Sequence, residues 1–312
     1  MQSIRFINDQ SVKLFIYICN LLTRIRFTLA RKQDKLPKDY VLCNVACSPL
    51  RAFPDDKSEM VSQILFGESG KILRKKGKNW IKISCTMDGY EGWTDPKTVF
   101  FLTEKEFAKC CEAPAYSTDI VSYLINGDIT TPVLLGSNLP KFDGIGFYHP
   151  EYKYVFNGGA IQPQTARINK EILIKIAKKY LNAPYLWGGR SPFGIDCSGF
   201  TQVVFKTCGY TLPRDAYQQA EHGEMVDFVE IAEPCDLGFF QNEEGRITHV
   251  GIILENQEII HASGRVRIDK LDHEGIFNRQ TKKYTHRLKW IKRIPLSWHL
   301  EKPSIAEPKL LK

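Results

Sequence analysis

The stretch Tyr185-Leu186-Trp187-Gly188-Gly189, followed by Gly194-Ile195-Asp196-Cys197-Ser198-Gly199-Phe200, decides how this chain is read. From Ser198 to Cys208 the apolar residues Phe200, Val203 and Val204 recur at helical spacing, and Gly209 stands where a helix ends. Cys197 therefore falls at a helix start, where unpaired backbone N–H groups and the helix dipole favour a thiolate. The same N–H groups suit an oxyanion formed during acyl transfer. A cysteine nucleophile also needs a base, and a group that orients the base.

Downstream, Thr248-His249-Val250-Gly251-Ile252 reads as an apolar strand carrying His249, and Glu258-Ile259-Ile260-His261-Ala262-Ser263 as the next one carrying His261. With Glu255-Asn256-Gln257 as the turn, the two histidines fall nearly opposite each other. One imidazole can then hold the tautomer of the other. Upstream, Asn169 caps a helix whose apolar positions Ile172, Leu173, Ile176, Ala177, Tyr180 and Leu181 follow the 3.6 period. Helices followed by strand-like runs at 237–240, 248–254, 258–261 and 289–294 indicate an α+β domain over residues 165–300.

The front half has a different texture. Between residues 39 and 102, short strands such as Tyr40-Val41-Leu42, Lys71-Ile72-Leu73-Arg74 and Trp80-Ile81-Lys82-Ile83 are separated by Gly-, Asp- and Asn-containing turns, the pattern of a small barrel. Residues 103–164 are β-rich as well, with strands at 133–136 and 152–156, and read as a second, degenerate β domain ending at Gly158-Gly159 and Pro163. Residues 1–38 form a basic extension and 301–312 a tail.

Composition excludes several classes. At 312 residues, about 150 per domain gives roughly two domains, and smaller modules make three. A hydrophobic content of 43% with 25% charged residues excludes wholesale disorder. The net charge of +8 is concentrated at the front, since residues 1–38 carry eight Lys/Arg against Asp9 and Asp34. The nearly neutral remainder offers no nucleic-acid footprint. The apolar run Leu14–Leu22 is far short of the ~20 residues needed to span a bilayer. No integral membrane segment is expected. The nine cysteines include no C-x-x-C pair, so no metal site is expected, and reduced thiols point to a reducing, cytoplasmic setting. An exported protein is the alternative if the N-terminal run acts as a signal.

The Trp-Gly-Gly…Asp-Cys-Ser-Gly-Phe, His-Val-Gly-Ile and Ile-Ile-His-Ala-Ser elements resemble the NlpC family of cell-wall cysteine peptidases, which have a papain-like core. Gly-Lys-Asn-Trp-Ile-Lys-Ile followed by Gly-x-x-Gly-Trp resembles a bacterial SH3-like barrel. The resemblance implies a multidomain chain of two small all-β SH3-like barrels followed by an α+β papain-like cysteine peptidase domain. It is similar to the γ-D-glutamyl-L-diamino acid endopeptidases, which cut murein stem peptides. By that likeness Cys197 is the nucleophile, His249 the general base and His261 the orienting group, with no metal or organic cofactor. The same likeness implies that Glu68, Tyr90 and Asp215 read a free N-terminal L-Ala, while Asp196 and Ser198 line the γ-D-Glu subsite and Trp187 walls the cleft. Arg190 reads as a solvated charge, and Cys235 stands where a turn glycine is usual. The expected partner is a murein stem peptide. Two alternatives remain, an exported endopeptidase or amidase of intact wall and a catalytically silent wall-peptide-binding protein.

Overall fold

The computed structural model describes residues 37–166 and 168–295, so the N-terminal apolar run, most of the basic extension and the tail lie outside the described residues. Seven short strands open it: β1 (Tyr40–Cys43), β2 (Cys47–Arg51), β3 (Met60–Leu65), β4 (Ser69–Lys76), β5 (Trp80–Cys85), β6 (Glu91–Thr94) and β7 (Val99–Leu102). They form one antiparallel sheet in the order β3-β2-β6-β5-β4-β1-β7. Val41, Leu50, Ile64, Ile81, Ile83 and Val99, from five of these strands, share a single buried cluster. A flat sheet cannot bring those side chains together, so the sheet curls around them.

The next segment departs from the all-β expectation at its start. Helix α1 (Glu104–Cys111) follows Thr103, whose hydroxyl accepts the Glu106 N–H while the Glu106 carboxylate accepts the Thr103 N–H at 2.8 Å. This reciprocal cap was written in the sequence as Thr-x-x-Glu. Beyond it lie β8 (Ala115–Ser117), β9 (Val121–Asn126), β10 (Ile129–Leu134), β11 (Asn138–Leu139), β12 (Gly146–Phe147), β13 (Tyr154–Asn157) and β14 (Ala160–Ile161). They make a four-stranded sheet, β10-β9-β13-β12, and a three-stranded one, β11-β8-β14. Phe66 of the preceding barrel is buried in their core with Leu124, Val133, Phe147 and Phe156.

The third segment holds α2 (Lys170–Lys179), capped by Asn169, the hairpin β15 (Arg190–Ser191) and β16 (Gly194–Ile195), α3 (Cys197–Thr207) and the single turn α4 (Ala216–Gln219). Its sheet runs β17 (Glu224–Val226), β23 (Lys283–Arg293), β18 (Leu237–Gln241), β19 (Ile247–Leu254), β20 (Glu258–Ser263), β21 (Arg265–Leu271) and β22 (Gly275–Asn278). A further β22–β23 pairing closes six of these strands into a ring. Strand alternation then sorts the residues. Val250, Ile252, Ile260 and Ala262 pack outward against Leu173, Ile176, Phe200 and Val204 of the helices. Phe240, Ile253, Ile259, Leu271, Ile276 and Ile291 form a separate cluster inside the ring. Strands β21 and β22 and the first half of β23 were not read from the sequence.

Candidate active site

Cys197 is the first residue of α3 and Asp196 its N-cap, one residue ahead of the helix start expected from periodicity. The Asp196 carboxylate accepts the N–H of Gly199 at 2.7 Å and of Gly188 at 2.9 Å. Arg214 closes on both of its oxygens, at 3.0 and 2.5 Å. These bonds fix the turn that presents the thiol. Gly188 allows the loop's close approach to the barrel: its φ is +74°, and a Cβ there would sit 2.2 Å from the Met60 carbonyl oxygen.

The β19–β20 ladder ends at the rung Gly251↔His261, two residues from the register that would set His249 opposite His261. His249 and His261 therefore meet diagonally on one face of the sheet, within reach of long side chains. Nε2 of His249 lies 2.8 Å from Nδ1 of His261. Beyond that last rung the Cys197 sulfur lies against the peptides flanking His249, 4.0 Å from the Thr248 carbonyl oxygen and beside the Val250 N–H.

The electrostatics correct one expectation. Burial and the neighbouring Asp196 charge push the Cys197 thiol up to about 12, outweighing the Val250 and Ser198 N–H groups and the Arg214 charge. Burial, with two further imidazoles beside it, pushes His249 well below its ordinary value. Both shifts favour a neutral thiol beside a neutral imidazole, because desolvation at a 7%-exposed cysteine works against the help of the helix start.

Two groups absent from the sequence reading complete the cluster. Asp269, fully buried on β21, lies 3.2 Å from Nε2 of His261. His286, on β23, stacks on His249 with ring centroids 4.1 Å apart and planes 25° from parallel, and burial pushes it down to about 4. The donor atoms of His249, His261 and His286 lie within 4.8 Å of one another. Rings stacked this nearly parallel cannot both aim in-plane lone pairs at one ion, so the set does not fit a metal.

The expected substrate contacts divide. Tyr90 of the barrel and Asp215 of the third segment, both half-buried, share a hydrogen bond; burial raises both, and Asp215 also raises Tyr90. Trp187 is 63% exposed and donates its indole N–H to Glu59 at 2.6 Å, which makes it a surface ring rather than a core one. Asp196 and Ser198 turn their side chains to Arg214 instead of an open subsite. Glu68 is 5% exposed and accepts Leu65 N–H, both Arg190 terminal nitrogens and Lys206. Those four donors use its acceptor sites, so the ammonium-reading role expected of Glu68 gives way to a structural one. Arg190, expected in solvent, is 2% exposed and also bonds Gln63 of the barrel. Only the tertiary pairing of distant segments makes that burial possible. Cys235 takes the left-handed backbone of the glycine it replaces, at φ +80°.

A thiol at a helix start, set against two linked imidazoles on a sheet, is the equipment of a cysteine-type hydrolase. The NlpC/P60 family model matches residues 182–285, and the model of the bacterial dipeptidyl-peptidase Sh3 domain matches residues 50–97. A gamma-D-glutamyl-L-lysine dipeptidyl-peptidase of Bacillus subtilis is 38% identical over 219 residues, 64% of this chain and 71% of that one. Its namesake in Bacillus cereus is 28% identical over 243 residues, 66% of this chain and 68% of that one. An NlpC/P60 family protein of Bacillus cereus, solved by crystallography, superposes with a TM-score of 0.70 at 23% identity, covering 81% of this chain and 99% of that chain. The chain belongs to the NlpC/P60 family and is a cysteine-type hydrolase carrying an SH3 domain of the dipeptidyl-peptidase kind.

Proposed function

We propose that the protein hydrolyses the bond between γ-D-Glu and the diamino acid of murein peptides whose N-terminal L-Ala is free. The observation that carries this reading is the meeting of Tyr90, from the barrel, with Asp215 beside the Asp196–Arg214 pair that holds the nucleophile. A half-buried carboxylate bonded to a phenol, held above its ordinary range by burial, is a site that an ammonium would satisfy and an acetyl cap would leave unpaired. The relatives' names support the choice of bond.

In this reading the third segment, residues 165–300, is a papain-like core. Nδ1 of His249 takes the Cys197 proton as the sulfur attacks the γ-carbonyl carbon of D-Glu. The resulting oxyanion is met by N–H groups opening α3. Collapse breaks the C–N bond, and the imidazolium returns its proton to the departing amine. Water, deprotonated by His249, then cleaves the thioester and releases L-Ala-γ-D-Glu with the free thiol. A free-amine requirement confines the enzyme to peptides already cut from glycan, which suits cytoplasmic murein-peptide recycling.

The test is mass spectrometry of L-Ala-γ-D-Glu-L-Lys, its diaminopimelate analogue and their N-acetylated twins after incubation with the protein. Release of L-Ala-γ-D-Glu from the free-amine peptides alone is the expected result. Equal cleavage of the acetylated twins would remove Tyr90 and Asp215 as amine readers and favour an endopeptidase of intact wall.

A further inference from the structure

The bond from His249 Nε2 to His261 Nδ1 leaves a chemical question open, since either nitrogen could carry the shared proton. Only one choice is productive. If His249 holds its proton on Nε2, its Nδ1 has a lone pair for the thiol; if His261 donates instead, Nδ1 of His249 is already protonated and cannot act as a base. The next group along the chain of bonds decides between them. Asp269 is fully buried, and its Oδ2 lies 3.2 Å from Nε2 of His261. Its other contacts are donors as well: Arg267 Nε at 2.6 Å and Nη2 at 3.0 Å, and the Arg279 N–H at 3.0 Å.

We propose that Asp269 is a positioning residue that fixes the tautomers of both histidines, so that His249 presents an unprotonated Nδ1 to Cys197. A carboxylate held by those donors can only accept from His261, so His261 carries its proton on Nε2. Its Nδ1 must then accept, and His249 must donate from Nε2. When Nδ1 of His249 takes the thiol proton, the positive charge is met by an unbroken run of acceptors ending on the Asp269 carboxylate. No proton has to travel along that run. Burial works against the Asp269 charge, but the bonds from His261, Arg267 and Arg279, with the Arg267 charge, hold the carboxyl down at about 2, so it stays ionised over the working range.

Asp269→Asn tests the idea sharply because its amide has to place an N–H somewhere. At the Oδ1 place that group would face two donors, Arg279 N–H and Arg267 Nη2; at the Oδ2 place it would face one, Arg267 Nε, and would donate to His261. The second arrangement reverses the whole run and puts the His249 proton on Nδ1.

The inference rests on the peptidase reading for its catalytic consequence, while its structural half stands apart from turnover. The experiment combines nitrogen NMR of histidine-labelled full-length protein with kinetics on L-Ala-γ-D-Glu-L-Lys, for the parent and Asp269→Asn. The parent spectrum should show His249 and His261 both protonated on Nε2, and the variant should show both protons moved to Nδ1. Its kcat should fall by about 10²- to 10⁴-fold, as when a triad aspartate becomes asparagine, with KM changed by less than about threefold. A purely structural Asp269 would move stability without moving the tautomers. Protonation of His249 on Nδ1 in the parent would overturn the proposal, a reading that needs no variant to fold. So would a variant whose kcat stays within about threefold of the parent. Correct tautomers with no turnover of the tripeptide would instead defeat the proposed substrate and leave the role of Asp269 standing.

Discussion

At the scale of single residues, the site is governed by where charge is allowed to be buried. Glu68, Arg190 and Lys206 form a closed ion group between the barrel and the peptidase segment, every member under 7% exposed on its side chain. Removing one partner from such a group strands the others, at a cost of about 3–5 kcal/mol. Glu68→Gln should therefore lower the unfolding free energy by that amount in urea titration, while the preference for free-amine over acetylated peptide stays unchanged. A changed preference at unchanged stability would return Glu68 to the amine pocket. Asp215→Asn and Tyr90→Phe should do the reverse, eroding the free-amine preference with little loss of stability. The pH profile follows from the neutral histidine. Burial holds His249 below the ordinary 6.5, so protonation disables the base only at lower pH, and the acidic limb of kcat/KM should fall below pH 6.5. A limb at or above that value would contradict a desolvated His249.

At the scale of elements, Gly251 sets the spacing on which the two imidazoles depend. It is the last rung opposite His261, and a Cβ there would lie 2.9 Å from the His261 Cβ and 2.8 Å from the Ile259 side chain. Gly251→Ala should push β20 away from β19 and cost tenfold or more in kcat, of the order expected for an ångström of misplacement. Crystallography of the variant would report the shift. The same strands show what was legible in advance. Cys197, His249 and His261 could be found because each sits in a local pattern, a helix start or an apolar strand. Their register was legible as well: a turn at Glu255-Asn256-Gln257 sets Leu254 opposite Glu258 and Gly251 opposite His261, which leaves His249 two residues along and diagonal to His261 rather than directly opposite it. Asp269 was not legible: Arg265, Arg267 and Asp269 alternate with Val266 and Ile268, the pattern of a solvent-facing side, and only closure of the ring turns Asp269 inward. Helix α1 has its signal in Thr103 and Glu106, a capping pair set among β-rich neighbours that mask so short a helix.

At the scale of the whole molecule, barrel and peptidase segment are joined by the Glu68 ion group, by the Tyr90–Asp215 bond and by further contacts to β3. Ser62 accepts from Arg214 at 3.0 Å, Gln63 bonds Arg190 at 2.8 and 2.6 Å, and Gly188 abuts Met60. The described residues from Asp39 onward form one compact unit. They should melt in a single transition reported alike by near- and far-ultraviolet circular dichroism, whereas two separated transitions would contradict the coupling. Acid should weaken that unit in a defined window. Glu68 and Asp269 are held at about 2 against ordinary values of 4.5 and 3.8, so their stabilisation is intact at neutral pH and drains away as pH falls from 4.5 towards 2. A melting temperature flat across that window would count against both buried ion groups.

The central claim, that Cys197 attacks the γ-D-glutamyl carbonyl, is tested most directly by trapping the acyl-enzyme. L-Ala-γ-D-Glu-L-Lys would be mixed with the protein and quenched in acid before turnover completes, and the intact protein weighed and mapped by peptide mass spectrometry. The expected result is an added L-Ala-γ-D-Glu acyl group on Cys197, absent from Cys197→Ala. An acyl group on another residue, or undiminished cleavage by Cys197→Ala, would contradict the account.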